Sequence, residues 1–262
     1  VTSTIDRGLA TTPVPRRDAP PKPSARRTKP PAPRGPARRP GLFGSTNGKK
    51  AVMAVTGAVL VAFLIGHMLG NLKIFLGAAS FNSYAEWLRT VGEPAVPARS
   101  LLTVAEIVLT AAVVLHMWSA VSLARRASKA RPVKYAKRRS QAGGYVVRTM
   151  RYGGVIILLF VIWHLLDLTF GAVNPKGFDA TPYDRVVAGF APARWWVTAF
   201  YVVALAMVGL HLRHGLWSAF QTLGLAAGRR RRFLDVFAAV FSAALVLGFV
   251  AVPVAVMIGV VK

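Results

Sequence analysis

The stretch "WWVTAFYVVALAMVGLHLRHGLWSAFQTLG", residues 195–224, decides the fold. Its first half is almost wholly apolar and shows no period-two alternation. It is long enough for the roughly 20 residues a helix needs to cross a bilayer core. His211, Arg213 and His214 nevertheless sit in its second half. Polar side chains at membrane depth are costly and are usually retained for a function.

Four further apolar runs of this kind occupy residues 50–76, 100–124, 150–173 and 233–261. None alternates, which excludes a β-barrel. The expected fold is therefore an all-α integral membrane protein, a bundle of five transmembrane helices. Composition agrees. Of 262 residues, 54% are hydrophobic and only 16% charged, yet the net charge is +25, and the Lys and Arg gather in blocks between the apolar runs. Residues 1–48, with "PPKPSARRTKPPAPRGPARRP", have little to bury and read as a disordered Pro/Arg-rich cytoplasmic tail rather than a secretory signal. Residues 49–262 form the membrane domain. With no Cys, the chain alone builds neither a disulfide nor a complete iron–sulfur site.

The basic blocks set orientation. The tail, the connection "ARRASKARPVKYAKRRS" and the "RRRR" at 229–232 are strongly basic. The other two connections carry few basic residues and four of the nine acids. The positive-inside rule places the basic segments in the cytoplasm, the N-terminus inside and the C-terminal Lys262 outside. Attraction to anionic lipid accounts for the blocks without any nucleic-acid partner.

Depth then sorts the histidines. His67 and His164 lie late in outgoing helices and fall in the outer half. His116 and His211 lie late in incoming helices and fall toward the cytoplasmic side. A neutral imidazole is a good iron ligand, and two of them from facing helices can clamp a haem held between helices of a bundle. Two such sites would form an electron path across much of the membrane. Interhelical hydrogen bonding is the plain alternative for any single His, and another His-bound metal remains open by spacing alone. A di-metal oxygenase is disfavoured, because only His211 and His214 are close in sequence.

Three segments carry a family resemblance. "GHMLGNLKIFLGAASFNSYAEWL" (66–88), "RYGGVIILLFVIWHLLDLTFG" (151–171) and "HLRHGLWSAFQTLG" (211–224) resemble the cytochrome b558-type membrane anchor of succinate dehydrogenase and fumarate reductase. The resemblance covers residues 45–260. It implies a bacterial cytoplasmic-membrane subunit with one or two b haems. That subunit passes electrons between menaquinone and a flavoprotein–iron–sulfur pair, and does not oxidise succinate itself. It implies His67, His116, His164 and His211 as iron ligands. By the family motif the ligand is the His four residues before the "GLW"-like step, hence His211. His214 is left near a haem propionate or a quinone. For the outer pair an alternative is a Rieske-type [2Fe–2S] cluster, its two cysteines supplied by a small membrane partner. An anchor that binds quinone but no haem is the alternative for the whole chain.

Other polar residues at depth are candidates for quinone or proton chemistry. Glu106 and Asp167 lie toward the outer side, Asp167 one turn beyond His164. Ser119, Trp118, Trp217, Ser218 and Gln221 lie near the cytoplasmic ends. Asn71, Tyr84 and Glu86 are placed to orient the outer loop. No Gly-rich Rossmann turn or Walker loop is present, so flavin and ATP are not expected to bind by those routes.

Overall fold

The computed structural model describes residue 41, residues 43–130 and residues 143–262. Residues 1–40 and 42 of the expected tail (1–48), and residues 131–142 in and after the second basic connection, lie outside the described residues.

The described chain is helical. Its elements are α1 (Thr46–Leu72), α2 (Ala78–Thr90), α3 (Ser100–Lys129), α4 (Gly143–His164), α5 (Pro182–Gly189), α6 (Trp195–Thr222) and α7 (Arg230–Met257). Five of them, α1, α3, α4, α6 and α7, are 27, 30, 22, 28 and 28 residues long. At about 1.5 Å per residue each spans a hydrocarbon core of roughly 30 Å. All five are long and apolar enough to cross a membrane. The five-span, all-α fold expected from the apolar runs is the fold observed.

Local chemistry explains the ends. Ser45 caps α1, its hydroxyl accepting from Gly48 N at 2.9 Å. The Thr181 hydroxyl caps α5 by accepting from Asp184 N at 3.2 Å, and donates to Asp184 Oδ2 at 2.7 Å. Pro182 supplies the preset φ of the first helical position. α4 ends in a π turn over Leu165–Thr169. After it Gly171 adopts φ +77°, and a Cβ there would collide with the Gly177 carbonyl.

The structure adds what the apolar runs do not reveal. The two weakly basic connections are not plain loops: they contain α2 and α5. The helix that carries the third span, α4, starts at Gly143, ahead of the span itself, which begins at Met150 as the apolar run does.

α6 is the central helix. Val197, Tyr201, Ala204, Leu205 and Leu212 are buried along one stripe. They pack with Leu245, Phe249, Val252 and Val256 of α7 and with Phe160 of α4. The closely packed pairs of spans are α6–α7, α1–α3, α4–α6 and α1–α7. Small residues bring them together, as expected where helices associate without a hydrophobic force. A Cβ on Gly209 would stand 2.6 Å from Val246 Cγ2, and one on Gly153 would stand 2.9 Å from Met207 Cε. Val55, Val104, Ile107 and Val240 face outward, a normal arrangement when the solvent is lipid.

Candidate functional site

The structure brings four of the five histidines together in two facing pairs. His67 of α1 meets His164, the last residue of α4, with ring centres 5.7 Å apart and planes at 88°. His116 of α3 meets His211 of α6 with ring centres 6.2 Å apart and planes at 57°. These are the pairs expected from depth. The helices carrying them, α1 with α4 and α3 with α6, are not among the closely packed pairs. The imidazoles therefore reach toward each other across gaps that backbone packing leaves open.

The pairs lie at two levels. On α1, the His116 ring contacts Thr56, eleven residues before His67, which is about 16 Å along the axis. On α6, Tyr201 contacts His164 and lies ten residues before His211, which is about 15 Å. Two helices thus give the same separation, about half of a hydrocarbon core of roughly 30 Å.

Each level has its own surroundings. The His67–His164 pair is aromatic. Phe63 stacks on His67 at 5.1 Å, Phe249 lies 5.7 Å from it and Phe160 lies 5.8 Å from His164. His164 Nδ1 is 3.4 Å from the Tyr201 hydroxyl, which is itself buried. In the His116–His211 pair, His116 Nδ1 is 3.2 Å from the Met53 carbonyl oxygen and 3.2 Å from Thr56 Oγ1. His211 Nδ1 is buried and has no hydrogen-bond partner. His214 is half-buried, one turn beyond His211, and faces no second histidine ring. Its neighbour Arg213 pairs with Asp235 at 3.5 Å, both exposed.

Asp167 lies within the π turn that follows His164. Its side chain is fully buried and already engaged. Arg194 Nη1 donates to Asp167 Oδ1 at 3.3 Å and Asn174 Nδ2 donates to the same oxygen at 3.1 Å, while Oδ2 has no partner. Asn174 Nδ2 also donates to the Arg185 carbonyl at 3.0 Å, and Arg185 Nη1 donates to the Thr169 carbonyl at 2.7 Å. Burial and, next, the neighbouring Arg89 lower the Arg185 pKa from its ordinary value. This cluster ties the π turn to α5 and α6.

The remaining candidates are dispersed. Glu106 is exposed and pairs with Arg99 at 3.6 Å. Ser119 is fully buried, with its hydroxyl unpartnered. Trp217 lines an open cavity of about 460 Å³ with Gly228, Arg231, Arg232 and Asp235. Ser218 and Gln221 are exposed. Trp118 stacks edge-on with Phe43 and lies under the Lys49 ammonium. At the other end, Tyr84 covers Gly70 and stacks on Trp87, while Asn71 is half-buried and Glu86 exposed. Among the described residues no group of three or more His, Asp or Glu gathers as a metal cluster.

Sequence reasoning missed Thr56, Gly57, Asn174, Arg185, Arg194 and Tyr201. Only Tyr201 had a usable signal. It shares the buried stripe of α6 with Thr198 at helical spacing, polar groups on the one face that packs inward.

The comparisons with known proteins point one way. The model of the succinate dehydrogenase/fumarate reductase transmembrane subunit family matches residues 127–251, which include His164, His211 and His214. The chain is 26% identical over 175 residues to the succinate dehydrogenase cytochrome b558 subunit of Bacillus subtilis (strain 168), covering 67% of this chain and 78% of that one. No solved structure matches. Over residues 127–251 the chain is similar to the transmembrane subunits of succinate dehydrogenase and fumarate reductase, and its five long apolar helices fit a multi-pass protein of the bacterial cytoplasmic membrane.

Proposed function

We propose that this chain is the electron-transferring membrane anchor of a succinate:quinone oxidoreductase, with a b haem clamped by each histidine pair. The observation that carries this proposal is the pair of facing imidazoles at each of two levels, on helices that do not otherwise pack closely. A metal held at about 2 Å from each of two imidazole nitrogens separates the ring centres by about 6 Å. The two observed spacings, 5.7 and 6.2 Å, fit such a group. The unpartnered, buried Nδ1 of His211 and the apolar rings around His67 fit it too. The relative's name, a cytochrome b558 subunit, points the same way.

Haem, when bound, supplies one-electron redox chemistry. The chain's own residues do the rest. His67, His164, His116 and His211 hold iron. Phe63, Phe160 and Phe249 keep the outer level apolar. The two levels, about 15 Å apart by helix rise, shorten each electron step across the bilayer. The basic end of the bundle faces the cytoplasm, where the flavoprotein and iron–sulfur subunits dock, and a small membrane subunit has room on the exposed faces of α1 and α3. Menaquinone would be the electron partner of haems held by these histidines. His214, Ser119, Trp217, Ser218 and Gln221 lie toward the inner side, and Glu106 and Asp167 toward the outer side.

The test is an optical redox titration of the purified complex. His211→Ala is expected to remove one b-type signal and His214→Ala to leave both. His67→Ala and His164→Ala are each expected to remove the other. A complex with no b-type signal is an anchor without haem and refutes the proposal. A Rieske-like paramagnetic signal that depends on His67 and His164 replaces the outer haem by a cluster.

A further inference from the structure

His116 belongs to α3 but is seated on α1. Its Nδ1 faces two oxygens, the Met53 carbonyl and the Thr56 hydroxyl, each at 3.2 Å. The Thr56 hydroxyl also lies 2.7 Å from the Val52 carbonyl, one turn back along its own helix, and 3.2 Å from the Met53 carbonyl, so its single proton goes to a backbone oxygen, the nearer being Val52. A carbonyl oxygen only accepts. A bare Nδ1 would set its lone pair against that of Met53 at hydrogen-bond distance. Nδ1 must therefore carry the proton and share it between Met53 and Thr56, which leaves Nε2 bare.

The seat also needs Gly57. A Cβ on this residue would stand 3.4 Å from His116 Cε1 and 3.7 Å from Nδ1. The ring lies so close to the α1 backbone that a methyl just fits and a branched side chain does not.

We propose that the Met53–Gly57 turn of α1 is the positioning element of the inner redox centre. It fixes the tautomer and ring plane of His116, and Thr56 and Gly57 are its positioning residues. This rests on the haem assignment proposed for the His116–His211 pair. The pair is then asymmetric: His116 is held by a neighbouring helix, whereas His211 has no partner at Nδ1. A donated Nδ1–H makes the opposite nitrogen a stronger base, which favours the oxidised metal and lowers the midpoint potential.

The test uses the intact complex with four substitutions: Thr56→Val, Thr56→Ser, Gly57→Ala and Gly57→Val. Thr56→Val is nearly isosteric and removes one acceptor. It is expected to keep both haems while raising the inner midpoint potential. A tenfold change in the ferric-to-ferrous affinity ratio corresponds to 59 mV for one electron and sets the scale of the shift. The low-spin paramagnetic spectrum should shift with it, because the ring plane is no longer fixed. Thr56→Ser restores both values. Gly57→Ala retains the inner haem and Gly57→Val loses it. If Thr56→Val keeps wild-type potential and spectrum with both haems bound, the seat does not position the ligand and the inference falls alone. If His116→Ala and His211→Ala leave every optical and paramagnetic signal unchanged, the haem assignment falls and the inference with it.

Discussion

The Arg194–Asp167 pair permits a quantitative test of what holds the outer end of the bundle together. Asp167 is fully buried and Arg194 has only 14% of its side chain exposed. Breaking a buried pair by removing one partner costs about 3–5 kcal/mol, since the other charge is left in a poor solvent. For Arg194→Gln the lower bound applies, because Asn174 still donates to Asp167 at 3.1 Å and the carboxylate can take up a proton. At roughly 2–4 °C per kcal/mol for a chain of this size, about 3 kcal/mol lowers the melting temperature by roughly 6–12 °C. Intrinsic tryptophan fluorescence is a suitable assay. Arg194 lies over Trp196, 5.7 Å from the ring, and Trp196 packs edge-on with Trp163. Asp167→Asn is expected to cost less, as the freed guanidinium is near enough to the surface to reach water. The double variant Asp167→Asn/Arg194→Gln should be more stable than Arg194→Gln alone. Glu106→Gln, at an exposed pair, should change stability by less than about 1 kcal/mol. If the two single losses simply add in the double variant, to within about 0.5 kcal/mol, the charges are not coupled and the argument is wrong.

Two further outcomes follow from packing and topology. Gly209→Ala should destabilise the α6–α7 contact by about 1–3 kcal/mol, because its Cβ would meet Val246 Cγ2 at 2.6 Å. Gly154→Ala, with open space around it, should be neutral or stabilising in the same thermal assay. Deleting residues 2–42 should leave insertion intact and a C-terminal reporter on the outer face, because the basic connections carry orientation; an inverted reporter would assign that role to the tail.

The number of spans and their approximate limits were legible in the sequence. Each depends on local composition alone. Water is absent from the bilayer core, so a run of apolar residues reports a crossing whatever its neighbours are. The run at 195–222 coincides with α6. The family likeness was legible for the same reason, since its motifs are contiguous.

Tertiary structure decided which faces meet. A helix apolar on all sides carries little period to mark its packed face, because lipid and protein interior are equally apolar. Nothing in residues 51–60 marks Thr56 and Gly57 as neighbours of His116, sixty and fifty-nine positions away. Arg194 finds Asp167 across 27 residues and a π turn, a contact that no contiguous motif spells out. The helices α2 and α5 were hidden inside connections judged by their charge. Their residues reach across to each other, as in the bond from Tyr183 N to Asn82 Oδ1 at 3.1 Å, a pairing between segments 101 residues apart. Composition reports how deep a residue lies in the bilayer; only the packed bundle sets which side chain it touches at that depth.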